Sequence, residues 1–207
     1  MNDLLDRLAQ MFQYMSASHG LPGLNPPATE QQVAAVENVM GQKFPDDLRA
    51  AYLRFNGQSH KPEWGAGWSL FPSGFSWPTL EELLTDWQYA SGSHDADAQR
   101  QAADIADEYQ LPALGYFPSP QRLLVGTSGT TDFLFCDLEP GPMGKRGQIM
   151  NQSAEGADEP RVWADSFADL LRLIVDAYEH GRIEYSEAEA AWTKDGETVY
   201  GLKALKA

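Results

Sequence analysis

One cysteine stands in the whole chain, Cys136. A lone thiol closes no internal disulfide, so the fold has no need of an oxidising compartment. Cys136 sits in the apolar run Asp132-Phe133-Leu134-Phe135-Cys136-Asp137-Leu138. No cation beside it in sequence would lower its pKa, which points to packing and not to nucleophilic chemistry. Long apolar runs are missing too. None approaches the ~20 residues that a membrane span needs. The opening residues, Met1-Asn2-Asp3-Leu4-Leu5-Asp6-Arg7, are acidic and lack a continuous apolar stretch, so no signal peptide is expected. Together these absences predict a cytoplasmic protein without membrane insertion. Basic residues are scarce: 15 Lys and Arg face 30 Asp and Glu, a formal charge of −15. Such a chain repels phosphate backbones, so nucleic acid is not its expected partner, whereas a basic protein would be attracted.

Catalytic motifs are absent as well. The chain has no phosphate-binding loop, dinucleotide fingerprint, nucleophile elbow or paired zinc ligands on one helix. Its histidines, His19, His60, His94 and His180, lie far apart in sequence. No catalytic residue, metal or cofactor is therefore predicted. His94, Asp95 and Asp97 resemble a hard-cation cluster, but acidic residues opening a helix are explained by its dipole. Asp132 and Asp137 are five apart on a strand, so they point to opposite faces and do not form a carboxylate pair. Trp64, Trp68 and Trp77 read as core packing ahead of a ligand pocket.

What is present is material for a core. Nine Phe, eight Tyr, six Trp and a hydrophobic fraction of 43% suit one main domain with extensions. Leu4, Leu5, Leu8, Met11, Phe12 and Met15 recur at helical spacing, with Asn2 or Asp3 as cap, and the helix ends in the run from Ser16 to Pro27. Thr29 and Gln32 form a capping box before Val33, Val36, Val39 and Met40, and Gly41 stops that helix. Pro45-Asp46-Asp47 opens a third helix with Leu48, Ala51, Tyr52 and Phe55 facing inward and Asn56-Gly57 as its stop. A strand is expected near Trp68–Phe71. Thr79 and Glu82 open a fourth helix through Leu83, Leu84 and Trp87. The Ala-rich stretch from Asp95 to Tyr109 predicts a surface helix with a thin apolar face.

The second half alternates like strands: Ala113–Phe117, Arg122–Gly126, Asp132–Asp137, Gly147–Met150 and Arg161–Ala164, with Ser128-Gly129-Thr130 as a hairpin connection. A long helix follows from Asp165-Ser166, burying Phe167, Leu170, Leu171, Ile174, Val175 and Tyr178 and stopping at Gly181. A shorter helix is expected from Ser186 to Trp192, capped by Ser186 and Glu189. The fold class is thus α+β: a mainly antiparallel central sheet flanked by helices, with an N-terminal helix and a C-terminal helical extension.

The chain also resembles a known family. Leu24-Asn25-Pro26-Pro27-Ala28-Thr29-Glu30, then Val33 and Val36, then Phe44-Pro45-Asp46-Asp47-Leu48-Arg49 and Phe55-Asn56-Gly57 look like the opening of the SUKH superfamily. This is the family of the yeast Smi/Knr cell-wall assembly regulators. Phe133 to Leu138 with Pro140-Gly141, Gly147-Gln148-Ile149, and Ala164-Asp165-Ser166-Phe167 before Leu170-Leu171 agree in order and spacing. The resemblance spans about residues 24–180, within the usual boundary error. It implies an α+β fold without enzymatic activity. Its bacterial members look like immunity proteins that bind and neutralise toxins, often nucleases. Its yeast members look like regulators of cell-wall synthesis. The matching residues Pro45, Asn56, Gly57, Asp137, Gly147, Asp165 and Ser166 each have a structural explanation as caps, turns and strand ends.

The expected organisation is therefore an N-terminal helix and linker over 1–23, a SUKH-like domain over 24–181 with an insertion at about 91–111, and an extension over 182–207, with boundaries good to a few residues. The expected function is binding of a protein partner, a toxin domain such as a basic nuclease. The acidic candidates for contact are Asp95, Asp97, Asp104, Glu155, Asp158 and Glu159. A regulatory module for envelope assembly is the alternative. A small-molecule enzyme is the reading of a different class, and it would need a deep pocket with convergent, perturbed ionisable groups.

Overall fold

The computed structural model describes residues 1–20, 23–59, 69–115, 118–128, 132–153, 161–186, 188–189, 191–201 and 205 of the 207. The chain begins with α1 (Asn2–His19), α2 (Glu30–Met40) and α3 (Asp46–Arg54), followed by α4 (Leu80–Gly92) and α5 (Ala96–Tyr109). Strands β1 (Arg122–Thr127), β2 (Asp132–Asp137), β3 (Gln148–Ser153) and β4 (Arg161–Ala164) come next. Then come α6 (Phe167–Glu179), β5 (Glu184–Ser186), β6 (Ala191–Lys194) and β7 (Glu197–Thr198). The class is α+β, as the order of patterns predicts.

The helices form where the apolar spacing puts them. All six stripe residues of α1 are buried. The helix has no side-chain cap from Asn2 or Asp3, and it runs past Ser16 to His19 before Gly20 ends it. Each buried side chain contributes roughly 1.5–3 kcal/mol, so six of them outweigh a missing cap worth about 1 kcal/mol. The boxes at Thr29–Gln32 and Thr79–Glu82 are both formed, each side chain satisfying a backbone N–H of the other residue. Gly41 ends α2 in the left-handed conformation.

Two details of α2 and α3 depart from expectation. Val39 is exposed, and Glu37 occupies the buried face instead. Its carboxylate accepts from the Phe44 N–H at 3.1 Å and from Lys43 Nζ at 2.7 Å, which explains how an acid can sit there. Asn56-Gly57 does not stop α3, which ends at Arg54 with an extended Phe55. Asn56 Oδ1 accepts from the Leu80 N–H at 2.9 Å, so it ties the end of α3 to the start of α4.

The four-stranded sheet has the order β1-β2-β3-β4, all antiparallel. Leu123, Cys136, Ile149 and Ala164 pair across it in one row, and all are buried against the helices. Period-two alternation places Asp137 and Asp132 on opposite faces, one buried and one exposed. The sheet's other face carries Leu124, Met150, Arg122, Asp137 and Gln148.

The expected strand at Trp68–Phe71 is not formed in its described part. Pro72–Gly74 make a short 3-10 turn there, and Phe71 bridges only to Phe75. Trp64, Trp68 and His60 lie outside the described residues. So do Phe117 at the end of the expected strand 113–117 and most of the hairpin at 128–130. Residues 113–115 are a loop, with the carbonyls of Leu114 and Gly115 accepting from the Arg122 side chain.

The expected helix from Ser186 to Trp192 is corrected to strand. A second sheet, β5-β6-β7, occupies this region. The Glu189 N–H does reach Ser186 Oγ, at 3.3 Å, but within the turn between two strands. The same Ser-x-x-Glu spacing serves turns as well as helices. Trp192 then decides the outcome: it is buried, and its Nε1 donates to the carbonyls of Ser69 and Leu70 at 3.1 and 3.0 Å. Strand geometry aims that ring inward, edge-on to Tyr178 and Tyr185.

Candidate protein-binding surface

The buried ionisable groups are engaged in holding the fold. Asp137 is fully buried at the end of β2. Gln148 Nε2 donates to Asp137 at 3.0 Å and the Glu139 N–H donates at 3.1 Å. Burial raises its pKa, opposed by the Gln148 hydrogen bond and the attraction of Arg122. Arg122 is itself buried. Its guanidinium donates to Gln152 Oε1 at 2.8 Å and to the carbonyls of Leu114 and Gly115 at 3.1 and 3.0 Å. It pins the segment after α5 to the outer face of the sheet. Burial pushes the Cys136 thiol up, away from the reactive thiolate, and the Tyr52 hydroxyl likewise. Tyr52 donates that hydroxyl to the Pro78 carbonyl at 3.0 Å.

The motif residues behave as structural parts too. Pro45 precedes the first turn of α3, Ser166 Oγ caps α6 by accepting from the Asp169 N–H, and Asp165 pairs with Lys145. Gly57 has φ +74, and a Cβ there would come within 2.5 Å of the Pro78 carbonyl oxygen. Only glycine fits without displacing backbone.

The surface grooves are shallow in chemistry. One of about 380 Å³ between β4 and α6 holds Asp165, Asp169, Arg172 and Asp176. Its carboxylates are matched by Lys145, Arg172 and Arg7. Another of about 400 Å³ lies between His94, Gln99 and Glu139, where Gln99 Nε2 donates to the carboxylate. Among the described residues no cluster of three His, Cys, Asp or Glu is arranged to hold a metal.

Helix α5 is different. Asp95 caps its N-terminus, with Oδ1 accepting from the N–H groups of Asp97 and Ala98 at 2.9 and 3.1 Å. Those bonds hold its pKa below the usual carboxylate range. Asp97 is exposed and pairs with Arg100 on the next turn. Asp104 is exposed farther along the helix. Asp95, Asp97 and Asp104 are thus brought onto one helix. Glu155, Asp158 and Glu159 lie outside the described residues. Sequence reasoning passed over Ile105 and Tyr109, which are 52% and 65% exposed on the same helix. The signal was available: they are the only large apolar side chains in a segment whose other apolar residues are alanines.

Fold and surface define an acidic α+β domain in which helices cover one face of an antiparallel sheet and one acidic helix stands out on the surface. Residues 27–173 match the model of the SMI1 / KNR4 family (SUKH-1). The chain belongs to that family. No curated protein matches it. Among the described residues, no helix is long and apolar enough to cross a membrane.

Proposed function

We propose that this chain is a non-enzymatic, cytoplasmic binding domain, an immunity protein that occludes the working surface of a basic toxin domain. Membership of the SMI1 / KNR4 family carries the reading, because that family includes toxin-immunity proteins as well as Smi/Knr regulators. Two physical features support it. The buried groups whose pKa burial raises, Asp137, Cys136 and Tyr52, sit in the packed interior, and none of them lines either groove described above. The net charge of −15 would speed encounter with a basic partner and penalise an acidic one. Co-expression with the product of the neighbouring reading frame tests the proposal. Growth should be restored only when this chain is present, and the two proteins should co-purify in a complex that added salt weakens. A pure preparation that turns over a small molecule, with loss of turnover on changing one groove side chain, would overturn it.

A further inference from the structure

Helix α5 is built inside out. Its packed face is alanine: Ala102 and Ala106 join Leu114 in a small cluster apart from the main core, with Ala98 and Ala103 alongside. Its two large apolar residues, Ile105 and Tyr109, point to solvent one helical turn apart on the same stripe. Beside that stripe run Asp97, Asp104 and Glu108, all exposed, at spacings of seven and four. Met143, 65% exposed, belongs to the loop whose backbone N–H bonds the Leu111 carbonyl at 3.4 Å, just beyond Tyr109.

The charges on this helix are also placed against its own interest. Residues 95–109 carry five carboxylates and one guanidinium. Asp107 and Glu108 occupy the last turn, where the dipole disfavours anions, and that turn holds no basic residue. Asp104 and Glu108 repel each other at i,i+4. Elsewhere on the body several helix acids are paired: Asp6 with Arg54, Glu30 with Arg49, Asp176 and Glu179 with Arg7. Among the described residues, none of Asp104, Asp107 and Glu108 has a basic side chain within ion-pair distance.

We infer that the exposed face of α5, with Ile105 and Tyr109 at its centre and Asp97, Asp104 and Glu108 along its edge, is the docking surface for a basic protein that presents an apolar contact within a ring of Lys and Arg. An apolar anchor beside complementary charge is the pattern of an interface centre. A second copy of this chain is disfavoured as occupant, since like faces would oppose their carboxylates. The inference deepens the proposed function and names the face it uses.

The test has two arms. In the first, the full chain is titrated with a synthetic amphipathic peptide of leucine and lysine, with a lysine-only peptide as control, and amide shifts are followed by NMR. Shifts confined to α5 and the Met143 loop, stronger with the leucine-containing peptide, are expected. Shifts centred on the β4–α6 groove, spread over the surface, or equal for both peptides would overturn the inference. In the second arm, the protein encoded beside this chain is the probe. Tyr109→Ala should weaken its binding about tenfold. The pair Asp104→Lys and Glu108→Lys should slow association at low salt by at least about tenfold. These positions are exposed, so circular dichroism should show unchanged folding. Wild-type binding that all variants retain overturns this inference and leaves the toxin reading intact. Peptide shifts on α5 without binding to the neighbouring protein do the reverse. Concentration-dependent dimerisation abolished by Tyr109→Ala would replace the basic partner with a second copy.

Discussion

Asp86, in the middle of α4, is a carboxyl carried against its preference. Burial alone raises its pKa to about 6. A raised carboxyl pKa means the folded state holds its proton more tightly than the unfolded chain does. The burial cost is therefore absent below about pH 4, grows as pH rises to about 6, and is complete above it. Asp86→Asn should accordingly stabilise the protein at pH 7.5 by about 1–2 kcal/mol, after discounting for its partial exposure, with the gain vanishing below about pH 4. Urea titrations at the two pH values check this, and a gain that does not change with pH would contradict it. Asp137 is shifted in the same direction by its burial, so it adds to the same slope. At Gly57 the constraint is steric. A methyl group would press on the Pro78 carbonyl in a conformation that L-residues avoid. Gly57→Ala should cost about 1–3 kcal/mol or more, read as a lower midpoint in urea with an unchanged slope. Sequence alone showed that Gly57 was a turn residue. It could not show that Pro78, far along the chain, would be the atom in its way.

At the scale of elements, α5 and α6 make a useful contrast. Helix α6 buries Phe167, Leu170, Leu171, Ile174 and Val175 in the main core. Helix α5 rests on two alanines and Leu114, with Arg122 holding the segment that follows. Alanine buries little area, so α5 should open locally at far lower free energy than α6. Hydrogen exchange should show α5 amides exchanging well before those of α6, and equal protection would refute the contrast. Arg122→Ala would leave the Leu114 and Gly115 carbonyls without their donor, at about 1–3 kcal/mol each where buried. It should speed exchange in α5 further while leaving α6 amides in their original order. The sequence disclosed both helices for good reasons: the alanine propensity of α5 and the 3.6-residue stripe of α6. It misjudged Ser186–Trp192 because a Ser-x-x-Glu spacing is shared by helix starts and turns, and only the seat of Trp192 separates them.

For the whole molecule, the ends of the chain belong to the same core as its middle. Leu5 and Phe12 from α1 share a cluster with Trp192, Val199 and Leu205 from the far end. Arg7 on α1 also pairs with Asp176 and Glu179 on α6. We expect a chain trimmed to residues 24–181 to lose cooperative unfolding, and Trp192→Ala in the full chain to cost about 3–5 kcal/mol. Calorimetry on both decides the point, and a trimmed chain as stable as the full one would make the ends true appendages. By itself the sequence determined the α+β class, the capping boxes that open α2 and α4, the antiparallel strand run and the acidic character, because capping, periodicity and charge act between residues close in the chain. Only the tertiary structure decided that Glu37 replaces Val39 in the core, that the C-terminal segment is a sheet, and that Ile105 and Tyr109 face solvent. Those outcomes depend on which distant surfaces meet, and burial is settled by the partner as much as by the residue.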